Sequence, residues 1–545
     1  NATTISLSPL STKEAGRLLQ ILLGVTLLPA ETQTVLLERA GGNPLYAEQF
    51  ARMLAERGDV EDLTVPETLQ ALMAARLDTL GPELKALLHD ASVVGRIFWS
   101  GAVAAIGERG RDAVRRDLNE LVRREFVRPV RVSSIEGEDE FAFWHALVRD
   151  VAYQQIPRSP RADRHIAAAA WVEETAEERI TDHAEILVHH YGQAVELTHA
   201  AGEERPGLEE TLASFLLLAG DRATRLDMQA AEAHYRRAFA LLQHDERARA
   251  TALVRLASAL VERGDTVEGI EAYEEAIPIL RRFDERAAAV AMLELGRALW
   301  HRGESGHQQE VGLEAISILE SAPDPDLVVA YGRLANWEAL AGRLREATVW
   351  VDKGLVLAEE LGVEDTVRLL QARGGIRAYG GDPACLADLR AACELALRLG
   401  LGLQTGVAYN NLAEWTGWFV GLLPAVEVHN EGIEFSRGRG LTHNVMWMRS
   451  EKLRALYHLG AWDELLREAD EVVRWQEEHG GGQIEIFGRV QLADVLAHRR
   501  SLTDASSHVD ALLPRARESG DPQMLVPGLA TAALVSSARG AARDG

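Results

Sequence analysis

The residues best suited to phosphate chemistry are few. A phosphate-cradling loop of the form G-x4-G-K-[ST] wraps the phosphates in glycine amides and neutralises them with a lysine. The sequence holds only four lysines, Lys13, Lys85, Lys353 and Lys452, which follow Thr12, Leu84, Asp352 and Glu451. None follows glycine, so the 545 residues contain no such loop, and no apolar strand ends in paired acidic residues. Gly400-x-Gly402-x3-Gly406 misses the dinucleotide spacing and follows a helical stretch, so it reads as a loop. His183, His189 and His190 stand beside Tyr191 without H-E-x-x-H or C-x-x-C spacing, and read as solvated or core histidines. No catalytic or metal-binding residue is assigned, and the chain is expected not to be an enzyme by itself.

Aromatic residues are the other candidates. Eight of the 11 tryptophans lie at Trp300, Trp337, Trp350, Trp415, Trp418, Trp447, Trp462 and Trp475. What they can do depends on the elements that carry them. Gly264, Gly303, Gly342, Gly381, Gly421 and Gly460 recur every 39 or 40 residues, each between two helix-like stretches. Ala257, Gly296, Ala335, Gly374 and Ala413 repeat at 39, as do Ala276, Ala315, Gly354, Cys393 and Gly432. A small residue at one fixed place lets neighbouring helices approach closely. Leu256, Leu295, Leu334 and Leu412 precede the second series and fill the space between hairpins. Each hairpin exposes an apolar face that only its neighbours cover, which is the logic of a solenoid. First helices of stacked hairpins line the concave face. Trp337, Trp415, Trp418 and Trp447, with Asn336, Asn410 and Arg449, are therefore the candidate ligand groove. Core filling is the competing reading for any one Trp.

Ala257-x2-Leu260-x3-Gly264-Asp265, followed by Tyr273 and Ala276, resembles the tetratricopeptide repeat. The period is longer than the usual ~34 residues. About eight full hairpins are expected from residue 209, with a ninth interrupted after Gly540.

The first two hundred residues lack this register. Ser11 and Glu14 form a capping box, and helices are expected near 29–40, 45–57 and 67–80, the last opened by Thr64 and Glu67. Gly41-Gly42-Asn43-Pro44 reads as a helix C-cap closed by Pro44. Helices at 82–94, 98–106 and 111–124, a strand at 126–132, an acidic turn, a return strand at 141–143 and a helix at 144–155 give a winged-helix pattern.

Three segments carry a more specific resemblance: Arg39-Ala40-Gly41-Gly42-Asn43-Pro44-Leu45-Tyr46-Ala47-Glu48, Ala74-Ala75-Arg76-Leu77-Asp78, and Phe143-x-His145-x-Leu147-Val148-Arg149-Asp150-Val151-Ala152-Tyr153. Together they resemble the back half of a signal-transducing ATPase of the STAND group, in particular the bacterial versions fused to a class III adenylate or guanylate cyclase or to a LuxR-type regulator. The resemblance implies a mainly α chain. A helical lid (1–66), a winged helix (67–157) and connecting helices (158–208) would precede a right-handed α-α superhelix of tetratricopeptide-like hairpins (209–545). It implies an ATPase domain of the same polypeptide upstream, with ATP or ADP and Mg bound only there and no cofactor in this chain. Gly42 and Pro44 resemble a Gly-x-Pro motif whose proline packs near adenine. His145 resembles a histidine that senses nucleotide phosphates. The expected function is a non-catalytic sensor: the superhelix takes a protein or small-molecule effector, and the lid and winged helix relay it. The alternatives are a free-standing tetratricopeptide scaffold or a DNA-binding transcriptional regulator.

Charge bears on those alternatives. The chain has 58 basic and 83 acidic side chains, a net charge of −25, which argues against general nucleic-acid or anionic-membrane binding. Residues 67–157 hold 12 basic against 14 acidic residues, and the loop at Glu136, Glu138, Asp139 and Glu140 is acidic. A DNA reader usually shows a basic excess. The two cysteines, Cys385 and Cys393, exclude a disulfide framework and fit the cytoplasm. No apolar stretch reaches the ~20 residues of a membrane helix. The start at Asn1 suggests a piece of a longer protein.

Overall fold

The computed structural model describes residues 8–23, 30–57 and 65–540. The chain is mainly α: among the described residues it has 27 α-helices, one 3-10 segment and three short strands. It divides into two compact units, Asn1–Leu212 and Ala213–Gly545.

The first unit opens with α1 (Thr12–Leu23), α2 (Ala30–Ala40) and α3 (Pro44–Arg57). The Ser11 amide donates to Glu14 Oε2 (2.8 Å) and the Glu14 amide to Ser11 Oγ (3.3 Å), the reciprocal cap. Leu19, Leu36, Phe50 and Met53 share one buried cluster. Pro44 does not close α2. The chain has already turned at Gly41 and Gly42, and Pro44 is the first residue of α3, where its missing N–H costs nothing. Thr64, expected to start the next helix, lies outside the described residues. The helix α4 (Leu69–Asp78) starts at Thr68, whose Oγ1 accepts from the Ala71 amide (3.1 Å).

Next come α5 (Pro82–Val94), β1 (Ile97–Trp99), α6 (Ser100–Ile106), α7 (Arg111–Arg123), β2 (Val127–Pro129), β3 (Glu140–Phe143) and α8 (Ala146–Gln154). The strands form an antiparallel sheet in the order β1-β3-β2, with Ile97 opposite Ala142 and Val127 opposite Phe143. Residues 98–99 were expected to begin a helix. Ile-Phe-Trp favours a strand instead, and Phe98 packs on Phe143 with ring centroids 5.3 Å apart. Then follow α9 (Arg158–Ala176), the 3-10 segment Glu177–His183 and α10 (Ala184–Ala201). Here Tyr153 Oη lies 2.9 Å from His165 Nε2, and His165 Nδ1 lies 2.9 Å from His190 Nδ1. Burial pushes His165 down to about 2 and His190 to about 3.

After α11 (Leu208–Ala223), in which the division falls, the second unit is an α-α superhelix. Its first helix is paired with α12 (Met228–Leu241). The following pairs are α13 (Glu246–Arg263) with α14 (Thr266–Phe283), α15 (Glu285–Arg302) with α16 (Ser305–Leu319), and α17 (Pro325–Leu340) with α18 (Leu344–Leu361). Then come α19 (Val367–Tyr379) with α20 (Cys385–Arg398), α21 (Gly402–Phe419) with α22 (Leu422–Arg437), α23 (Thr442–His458) with α24 (Trp462–Glu478), and α25 (Gln483–His498) with α26 (Leu502–Ser519). A single helix, α27 (Pro522–Ala538), follows.

Small residues set how closely these helices pack. A Cβ on Gly354 would fall 2.4 Å from Leu369 Cδ2, and one on Gly374 would fall 2.8 Å from Leu389 Cδ2. Cys393 fills the same kind of slot, and burial pushes its thiol up to about 11. The curvature brings the superhelix back on itself. Helix α13 packs on α23 and α15 on α25, five pairs further on. Gly264 serves both purposes. Its φ of 109° turns the chain between α13 and α14, and a Cβ there would lie 2.3 Å from the Trp475 ring. Arg500 takes the same left-handed turn (φ 64°) where the glycine series lapses.

Ala335 is fully buried against Val351 and Ala372. Ala335→Leu is expected to overpack this contact and to cost about 1–3 kcal/mol, read by urea unfolding. A change within error would mean that the slot has room.

Candidate functional site

The closed turn of the second unit surrounds a cavity of about 920 Å³. Its walls come almost entirely from the first helices of the pairs, α13, α15, α17, α19, α21, α23 and α25, with α27. Six of the seven residues expected to form the groove line it: Asn336, Trp337, Asn410, Trp415, Trp418 and Trp447. Arg449 does not. It turns to α24, where its Nε lies 2.6 Å from Glu468 and its Nη2 2.5 Å from Glu471.

The six are not equivalent. Trp447 is nearly buried, with Val472 and Ile484, so it serves the core and the wall together. Trp337 lies on the bare backbone of Gly312, where a Cβ would fall 2.3 Å from its ring. Trp418 is 68% exposed and donates its Nε1–H to Glu414 Oε1 (3.1 Å). Asn410 is buried, yet its Oδ1 has no hydrogen-bond partner among the described residues.

Sequence reasoning missed the charged groups between them. One residue after four of the five small residues of the Gly296 series stand Arg297, Asn336, Gly375 and Glu414, and these four line the cavity, whereas Ser258 after Ala257 does not. The 39-residue register therefore pointed at them. At one end Arg297 pairs with Glu262, and Arg333 with Glu294. Arg333 Nη1 also donates to the Leu293 carbonyl (2.7 Å). Arg368 joins them without an ion pair or hydrogen bond among the described residues. Burial, then Arg333, push its guanidinium down to about 9. At the other end Glu414 pairs with Arg454. Glu451 has no such partner among the described residues, and burial, then Glu414, push it up to about 7. Tyr379 sets its ring edge on Trp415 (5.0 Å) and accepts at Oη from Gln523 Nε2 (3.3 Å).

Between the ends, Arg297 Nη1 lies 3.3 Å from His301 Nε2, and His301 Nδ1 lies 3.1 Å from His443 Nε2. Arginine can only donate, so His301 accepts at Nε2 and carries its proton on Nδ1. It donates to His443, whose own proton sits on Nδ1, a buried atom without a partner among the described residues. Burial holds both rings neutral, His301 well below its ordinary value and His443 at about 3.

In the first unit, Gly42 has a φ of 77°, and a Cβ on it would lie 2.4 Å from the Leu10 carbonyl. Asn43 Oδ1 accepts from the Leu45 amide (3.0 Å). His145 precedes α8 instead of lying within it, and its buried Nε2 has no partner among the described residues. Burial lowers its pKa, Glu48 opposing. Among the described residues no cluster of three or more His, Cys, Asp or Glu side chains could hold a metal ion. No helix among them is long and apolar enough to cross a membrane.

No protein-family model and no curated protein matches the sequence. Solved structures do match. A signal transduction ATPase with numerous domains (STAND) protein with a tetratricopeptide repeat sensor, from Pyrococcus horikoshii, aligns over 96% of this chain and 76% of its own, with a TM-score of 0.54 at 16% identity. A Rap protein complexed with competence and sporulation factor covers 71% of this chain and 99% of its own (TM-score 0.41, 14% identity). The apo form of the quorum sensor NprR from B. thuringiensis covers 78% and 98% (TM-score 0.39, 13% identity). At these identities the likeness is one of fold: the chain is mainly helical and carries a tetratricopeptide-like superhelix.

A histidine neutral in the fold and titrating near 6.5 when unfolded adds stability above pH 6.5 that is lost as pH falls toward its folded value. For His443 that window is pH 6.5 to about 3. His443→Gln is expected to flatten the fall in stability between pH 6.5 and 4 by about 1 kcal/mol per pH unit. Urea midpoints across that range check it. An unchanged slope would show that His443 is charged in the folded state.

Proposed function

We propose that the chain is the regulatory part of a STAND-type signalling ATPase. The superhelix takes a signal in its cavity, and the first unit supplies the lid and winged helix that relay it to an ATPase domain of the same polypeptide. ATP or ADP and Mg belong to that domain, with Gly42, Pro44 and His145 on its nucleotide side. The motifs at 39–48, 74–78 and 143–153 support an output of the cyclase or LuxR type, in the cytoplasm. Ligand binding would shift a closed, ADP-held state toward an open one.

The observation that carries this reading is the cavity itself. A wall of tryptophans with unpaired polar groups is expensive to maintain empty, since a buried polar atom without a partner costs about 1–3 kcal/mol. Such walls suit a ligand that supplies the missing partners.

One observation weighs against the DNA-reading alternative. Arg111 pairs with Glu138 (2.8 Å) and Arg115 with Asp139 (2.8 Å), while Arg123 and Arg124 pair with Glu120. The arginines of α7 are thus largely neutralised by the acidic loop and by their own helix. This favours a packing module over a groove reader.

A thermal-shift screen of metabolites and short peptides tests the proposal. At a hundred times its dissociation constant, a ligand should add about 2.7 kcal/mol of stability, and Trp415→Ala should abolish the shift. A shift kept in full by both Trp415→Ala and Asn410→Ala would put binding elsewhere. By calorimetry the chain alone should bind MgATP no more tightly than about 1 mM. Micromolar binding would overturn the non-catalytic reading.

A further inference from the structure

Two charged side chains of the cavity, Arg368 and Glu451, have no ion pair or hydrogen bond among the described residues, and they are of opposite sign. Arg368 stands beside Arg333 and Arg297, whose charges are already taken by Glu294 and Glu262. Glu451 stands beside Glu414, which Arg454 and the Trp418 indole already occupy. Every other charge in these two clusters is matched. The surplus is one positive charge at one end and one negative charge at the other.

Helix α19 measures the gap. Arg368 is its second residue and Tyr379 its last. Eleven residues of α-helix span about 16 Å. Tyr379 belongs to the acidic end, since Glu414 and Glu451 both act on its hydroxyl and its ring meets Trp415. The acidic end is also the aromatic end, with Tyr379, Trp415 and Trp418 around the carboxylates. Carboxylates among aromatic faces suit an ammonium group, while a free guanidinium suits a carboxylate.

We propose that the cavity binds an elongated zwitterion, with its carboxylate on Arg368 and its protonated amine on Glu451, and with the charges about 16 Å apart. An extended chain of four to five amino-acid residues with free ends has that span, at about 3.5 Å per residue. The proposal rests on the reading of the cavity as the signal pocket. Asn410 Oδ1, buried in the wall and unpartnered among the described residues, is placed to accept a backbone N–H from such a chain.

The test uses the full chain and random-sequence pentapeptide pools in four forms: free-ended, N-acetylated, C-amidated and doubly capped. Peptides that co-elute with the protein on gel filtration are counted by mass spectrometry. The free-ended pool should be retained, and each cap should cut retention at least tenfold. Arg368→Gln should make retention indifferent to amidation, and Glu451→Gln indifferent to acetylation. Both variants should melt at or above the wild-type temperature without ligand, because each loses a charge that no partner satisfies. A clear fall in melting temperature in both would make the two charges structural and overturn the proposal. Retention of the doubly capped pool, lost in Trp415→Ala, would overturn the zwitterion and leave the signal-pocket reading standing. If no pool is retained and no metabolite shift depends on Trp415, both readings fall.

Discussion

The second unit depends on how closely neighbouring helices can approach at two repeated slots, one on the first helix of each pair and one on the second. At Gly354 a leucine from the next pair, Leu369, occupies the space a Cβ would take, and at Gly374 the leucine of its own partner helix, Leu389, does so. That approach is repeated pair after pair, and with it the rotation between pairs. A small, regular rotation accumulates into superhelical curvature. Here it accumulates fast enough that α13 meets α23 and α15 meets α25. The contact needs further bare backbone: Gly264 under the Trp475 ring, and Gly482, where a Cβ would lie 2.7 Å from the His301 carbonyl. The cavity follows from the closure, because the first helices then face one another across a bounded space.

Closure also changes the electrostatics. On an open solenoid, residues such as Arg297 and Glu262 would be solvated and their pairing worth little. Inside the turn, charges lose water and need protein partners. Most have them. Arg333 reaches both Glu294 and the Leu293 carbonyl, and the Arg297–His301–His443 chain passes hydrogen bonds from α15 to α23. Against that background the unpartnered groups stand out. A buried network with one member missing is strained in a way that a ligand can relieve.

The repeat part of the fold was legible because a 39-residue period is a one-dimensional signal. Gly264, Gly303 and Gly342 marked turns that all have positive φ. Ala257, Ala335 and Ala413 marked slots that are all fully buried. The cavity wall was half legible, since tryptophans stand out while charges do not. Arg297 and Glu414 occupy the position next to the slot, which the period already identified. Arg368 and Glu451 lie off that position, so only the folded turn reveals them. Arg449 misled because its place in α23 is right while its side chain turns to Glu468 and Glu471. In the first unit no period exists, and boundaries followed local propensity alone. Propensity was overridden where tertiary pairing decided, as at Ile97–Trp99, which β3 recruits into the sheet.

The same geometry limits how a signal could act. Helices α19 and α23, which carry Arg368 and Glu451, belong to pairs separated by one other pair, that of α21. A ligand held at both ends would fix the rotation accumulated across three pairs. Because α23 also packs on α13, that rotation sets the fit between successive turns of the superhelix. A ligand can shift such an equilibrium only by the difference between its contacts in the two states. Two charged ends on separate helices provide that difference, because both contacts exist only at one curvature. A ligand held by a single helix would bind equally well at every curvature and would carry no signal, however tightly it bound.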